Sequence, residues 1–211
     1  MKTRFYTLLC CGLLLGGCQL LPGTPDNAPG KRLQGELGYI DGQWQLTTCD
    51  GGSLLPLELA EPWLQAAASC DAEQGQSCFA DLEVRPAGQV TRVHRIQHEG
   101  HGCADDEFGH LLIRAAGNEP FWSVRLNSHG LVLQQPGQPA IALPYIHEQL
   151  GDGLQYISSQ ADHHVLQLWI SPQPCIDSMS GAWHALSARL QWQGETFTGC
   201  AYHGAQQISS P

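Results

Sequence analysis

Lysine is almost missing from this sequence. Lys2 and Lys31 are its two copies, and arginine brings the basic residues to only 10 against 20 aspartates and glutamates. A formal net charge of −10 argues against a face for nucleic acid or anionic lipid head groups. It admits cationic partners (basic proteins, polyamines, metal ions), although ordinary solubility is the plainer meaning. Long apolar runs are scarce too: beyond residue 17 none is long enough to span a bilayer as a helix. There is no Cys-x-x-Cys, so thiol–disulfide catalysis has no basis. No nucleophile elbow or active-serine motif gathers the serines, histidines and aspartates. Asp50-Gly51-Gly52 and Asp152-Gly153 read as turns, because the regular oxygen-ligand spacing of a calcium loop is absent. These absences point away from an enzyme.

The first 17 residues have the form of an export signal. Lys2 and Arg4 supply a positive start, and Phe5 to Leu15 supply a short apolar core. Leu15-Gly16-Gly17-Cys18 then matches the bacterial lipobox, in which an apolar residue and two small ones precede a cysteine that receives lipid through its thiol. Several acyl chains on Cys18, palmitate among them, would give a stable membrane anchor. By resemblance to enterobacterial lipoproteins, which an aspartate at this position retains in the inner membrane, Gln19 points to the outer membrane, facing the periplasm. Residues 18–33 carry Pro22, Gly23, Pro25, Pro29 and Gly30 and read as a flexible tether.

Six cysteines remain: Cys49, Cys70, Cys78, Cys103, Cys175 and Cys200. An even number in an oxidising compartment favours three disulfides, for which fifteen pairings exist. Cys175 with Cys200 is expected, since both fall in the last third of the chain. Cys70 with Cys78 as a local clasp, and Cys49 with Cys103, complete the set without a sequence signal that singles them out. Free thiols for soft metals are the rival reading.

Hydrophobic residues mostly alternate, in short runs broken by glycine and proline, which is the pattern of antiparallel sheet. Residues 34–108 form a small β module: strands at Gly35–Asp41 and Gln43–Cys49 joined at Asp41-Gly42, a helix over Leu57–Ser69 with Pro62 early, and strands at Phe79–Arg85 and Gln89–His98. Residues 109–204 hold about seven further strands, including Phe121–Asn127 and the hairpin Ala185–Gln193 with Glu195–Tyr202. That density predicts a closed or nearly closed small antiparallel barrel, with a sandwich as the alternative. Residues 205–211 are a polar tail. The fold class is mainly β.

Two stretches stand out: Gly117-Asn118-Glu119-Pro120-Phe121-Trp122, and Cys175-Ile176-Asp177-Ser178-Met179-Ser180-Gly181 followed by Gly199-Cys200. Together, over about residues 110 to 203, they resemble a family of bacterial envelope lipoproteins with a small β domain. That resemblance implies a fold and a location but carries no activity. The first module resembles the cysteine-bearing β domains of envelope-stress lipoproteins linked to copper homeostasis, without their Cys-x-x-Cys. Read from the residues, Pro120 fixes the entry to a strand, Phe121 and Trp122 place one ring inside and one outside, and Asp177 caps a turn with Ser178 and Ser180. Met179 is expected to cover the barrel mouth. Glu119, Trp122, Asp177, Met179 and Trp183 make a candidate binding rim for a peptide, a glycan or a protein edge.

The densest polar segment runs from His94 to His110, with His98, His101 and four carboxylates between. Imidazoles beside carboxylates suit zinc, nickel or copper(II), but the spacing matches no established zinc signature; solvated loop residues are the simpler reading. The expectation is therefore a non-enzymatic, lipid-anchored binding or envelope-maintenance module needing no cofactor. The alternatives are a metal sensor built on His94, His98, His101 and His110, and an inhibitor of a cationic wall hydrolase such as lysozyme.

Overall fold

A computed structural model describes residues 28–71, 75–161 and 163–206. The expected signal segment, Cys18, most of the expected tether and the end of the expected tail lie outside the described residues. The fold is mainly β, in two antiparallel sheets with one short helix.

Strand β1 (Lys31–Ile40) turns at Asp41-Gly42 into β2 (Gln43–Thr48). Both turn residues have positive φ, 50° and 79°, the twist that suits a two-residue hairpin. Residues 31–33 of the expected tether therefore belong to β1. Lys31, Arg32 and Leu33 pair with Val84, Glu83 and Leu82, where Arg32 meets the buried Asp81 of β4. β3 (Leu54–Leu57) forms the sheet edge, where Pro56 is tolerated. It takes the residue at which the expected helix was to begin. Helix α1 is shorter, Glu61–Ala67, with Pro62 in its first turn. β4 (Cys78–Val84) and β5 (Val90–Gln97) complete the N-terminal part. Leu37, Leu46, Leu57, Leu82, Val93 and Ile96 fill its core.

The second sheet contains β6 (Ile113–Asn118), β7 (Phe121–Asn127), β8 (Gly130–Gln134), β9 (Ile141–Leu143), β10 (Ile146–Gln149), β11 (Gln155–Ala161) and β12 (His164–Ser171). The chain then leaves it. β13 (Cys175–Ile176) and β14 (Trp183–His184) extend the first sheet, β14 pairing with β5. It returns as β15 (Leu186–Trp192) and β16 (Glu195–His203). The second sheet thus runs β10-β11-β12-β15-β16-β6-β7-β8-β9 and curls into a half-barrel around its own core. No ladder joins β9 to β10, so the barrel is open. Those two edges are nevertheless separated by Pro144 and Tyr145 alone, a link that spans at most roughly 11 Å. The Tyr145 hydroxyl bridges further, donating to the Asn127 carbonyl at 2.9 Å.

Three disulfides, Cys49–Cys103, Cys70–Cys78 and Cys175–Cys200, match the expected set. Ala205 and Gln206, expected in the tail, donate to the carbonyls of Phe108 and Leu111 and so belong to the fold.

The seam between the sheets buries charge. Asp81 on β4 is fully buried and accepts two bonds from Arg32, at 2.7 and 2.6 Å, and one from the Gln34 amide at 2.9 Å. Arg32 also donates to the carbonyls of Gly204 and His203, at 2.8 and 2.7 Å, so one guanidinium holds both sheets. Arg95 on β5 is equally buried. Its guanidinium lies 4.0 Å from the Tyr202 ring centre, 4.7 Å from Phe79 and 5.4 Å from Phe108, with Asp81 and Asp105 each at 3.9 Å. His184 stacks on the same Tyr202 ring.

Two predictions follow from this seam. Asp81→Ala removes the carboxylate that Arg32 binds and that buried Arg95 shares with Asp105, and should cost about 3–5 kcal/mol, read by chemical denaturation. The histidines set an acid limit. Burial first, then Arg95, holds the His184 pKa down to about 4, with Asp177 opposing. His94 and His203 are lowered as well, by burial first and then by Arg32. Neutral histidine contributes its full stability above the unfolded value of about 6.5, and that stability is lost as pH falls toward the folded value. His184 alone accounts for a loss on the order of 3 kcal/mol by about pH 4. Unfolding free energies should already decline between about pH 6.5 and pH 5, above the carboxylate range, and His184→Gln should flatten that decline.

Candidate functional site

The two distinctive stretches of sequence meet in space. Gly117 on β6 lies opposite Trp122 on β7, and a Cβ there would collide with the Thr198 carbonyl and the Trp122 indole. Gly199 faces the Ala116 carbonyl just as closely. The two glycines let β6, β7 and β16 close around the tryptophan, whose indole N–H donates to the Thr198 carbonyl at 3.3 Å. Trp122 is inside and Phe121 is 40% exposed, as the dipeptide at a strand entry leads one to expect.

At the end of β6, the Asn118 amide donates to Asp177 Oδ2 at 2.9 Å. Asp177 Oδ1 accepts the Met179 N–H (3.0 Å), the Ser180 N–H (2.8 Å) and the Ser180 hydroxyl (2.9 Å). The capped turn read from the sequence is present. Burial, the largest single influence, pushes the Asp177 carboxyl up. The donors of Ser180, Asn118 and Met179 outweigh it and hold the pKa below its ordinary value. The Cys175–Cys200 disulfide pins the start of this loop to β16, and β14 pins its end to β5.

A groove of about 670 Å³ opens between this loop, the Asn118-Glu119 turn and the outer face of the half-barrel. Glu119 and Ser178 line one side; Trp169, Ser187, Arg189 and Thr198 line the other. The Arg189 guanidinium lies on the Trp169 ring, 4.3 Å from its centre. Ile176 on the lip is 69% exposed.

The expected rim is thereby redrawn. Glu119 and Asp177 both line the groove, with Asp177 spent on holding the loop. Trp122 is not a rim residue: 1% exposed, it fills the half-barrel core because its strand parity and the facing glycine turn it inward. Trp183 packs against the core of the first sheet. Met179 stands 76% exposed and covers nothing. Nothing in the sequence marks Trp169 or Arg189. Only the register Trp169↔Arg189↔Thr198 brings them to one face.

The histidines from His94 to His110 are not gathered into one ligand set. His94 lies 3.1 Å from Glu83 on the seam. His98 contacts the Ser69 hydroxyl and the Cys78 sulfur, whose partner in the disulfide is Cys70. His101 and His110 are exposed in the loop. The grouping of Cys70, Cys78 and His98 offers sulfurs already bonded to each other, not thiolates. His94 does line a second concavity, a cleft of about 1010 Å³ between the sheets shared with Arg32, Gln155 and His203.

Asp177→Ala removes the anchor of the loop. It should lower the unfolding free energy by about 2 kcal/mol and speed hydrogen exchange at the Met179 and Ser180 amides. Compared with protein-family models, with curated proteins and with solved structures, the chain matches none.

Proposed function

We propose that this chain is a lipid-anchored binding protein of the bacterial outer membrane. It faces the periplasm, has no catalytic role, and presents the groove between the Asp177 loop and the half-barrel to a ligand. One observation carries the reading: the Asn118–Asp177 bond joins stretches 59 residues apart and fixes the groove wall before any ligand arrives. The chemistry of the wall favours binding over catalysis. Asp177 already accepts four hydrogen bonds, which leaves it poorly suited to take a proton from a substrate. Pairing of all six cysteines of the described chain fits an oxidising compartment. The lipobox ending at Cys18 supplies the anchor, so no basic surface is needed to reach the membrane.

The two halves of this proposal have separate tests. Cys18→Ala should abolish incorporation of labelled palmitate and move the protein from the membrane to the soluble periplasmic fraction. Unchanged labelling would refute the anchor. For the groove, a photo-crosslinking amino acid placed at Glu119 or Ser178 of the lipidated protein in intact envelopes should give adducts that the same probe at Gln43, in the first sheet's hairpin, does not. Equal patterns at all three positions would remove the groove from consideration.

A further inference from the structure

We propose that Arg189, laid flat on Trp169, is the anchor for a carboxylate, and that the groove takes the free C-terminal end of a peptide. This deepens the reading of the groove as a binding surface and rests on it.

The register of the half-barrel sets a row across five strands: Glu148, Tyr156, Trp169, Arg189 and Thr198 are successive partners on β10, β11, β12, β15 and β16. Leu168 and Ile170, and likewise Ala188 and Leu190, are buried on the opposite face, so this row points outward. The row is braced. Tyr156 and Trp169 have ring centres 5.2 Å apart, and the Gln167 amide donates to the Tyr156 hydroxyl at 2.8 Å. A guanidinium stacked on such a platform is oriented in advance, so less side-chain freedom is lost when it binds.

Charge makes this arginine unlike its neighbours. Arg32, Arg92, Arg95, Arg114 and Arg125 each lie within 4.0 Å of a carboxylate, and Arg85 donates to Gln89. Among the described residues Arg189 has the indole ring as its partner and no carboxylate. In a chain with twice as many acids as bases, that leaves a planar fork of N–H donors unspent at the edge of a groove. A carboxylate fits such a fork with two parallel bonds. The opposite wall narrows the choice. Glu119 and Asp177 line the same groove and repel a dianion such as phosphate, while Glu119 can accept N–H groups from a ligand backbone. The hydroxyls of Ser178, Ser187 and Thr198 serve the remaining amide groups. A groove of about 670 Å³ is in the range of small-ligand sites.

The test uses the full mature chain with Cys18 replaced to keep it in solution. The probes are trialanine with a free C-terminus, the same tripeptide as its C-terminal amide, and inorganic phosphate. The Trp169 indole N–H, assigned by Trp169→Phe, is followed by NMR. The free acid should shift this signal saturably and the amide should bind at least about tenfold more weakly. Arg189→Gln should lose the distinction between acid and amide while keeping the unfolding midpoint of the parent; Arg189→Lys, which keeps charge without the fork, should recover only part of it. Equal affinity for acid and amide, no shift with either, or a phosphate response as large as that of the acid would each overturn the proposal. If cross-links from Glu119 form in envelopes while trialanine leaves Trp169 unmoved, the ligand class alone falls; if both fail, the reading of the groove falls with it.

Discussion

Asp81 is a carboxylate with no access to water, held by two guanidinium groups that are themselves largely or wholly buried. The rest of the molecule is arranged around that constraint. A buried ion is tolerated only when its lone pairs are filled, and Arg32 and Gln34 fill those of Asp81. Arg32 in turn reaches the carbonyls that end β16, so satisfying one charge also fixes the angle between the sheets. Arg95 has buried nitrogens without hydrogen-bond partners and is compensated differently, by the faces of Tyr202, Phe79 and Phe108. A purely apolar seam would tolerate sliding. Directional bonds to an unscreened charge do not, and the position of β14 against β5 depends on that fixity.

The groove inherits its shape from the same arrangement at one remove. Its loop is tied at Cys175 to the half-barrel and at Trp183 and His184 to the first sheet. The side chains inside the loop, Asp177 and Ser180, hydrogen-bond to its own backbone and leave its outer surface to Ile176, Ser178 and Met179. A wall supported from two bodies and capped internally changes little when a ligand meets it, which suits recognition by complementarity.

Much of the architecture was legible because its signals are local. Alternation gave β7 to the residue and β1, β2, β4, β5, β15 and β16 to within a few positions; Asp41-Gly42 gave its hairpin; Asp177 with Ser180 gave its capped turn. β13 and β14 were not legible, since two-residue strands have no periodicity and the partner of β14, β5, lies nearly 90 positions away in sequence. The start of β1 was hidden by Lys31 and Arg32, which look like linker until Asp81 is placed beside Arg32. A strand entry leaves the parity of Trp122 undecided between rim and core; the facing Gly117 decides it, but only once the register is known. Trp169 and Arg189 are 20 residues apart, and no spacing rule marks them as neighbours.

The loan of β14 to the first sheet has a consequence for how the chain is made. A ribosome delivers β1 to β5 long before Trp183 and His184 emerge. Throughout that interval β5 offers a bare edge of N–H and C=O groups, with Arg95 beside it lacking the Tyr202 ring that later covers it. The N-terminal half is therefore a template for mispairing with other incompletely folded copies until nearly the whole polypeptide is present. The first sheet is complete only when β14 has arrived to cover the β5 edge.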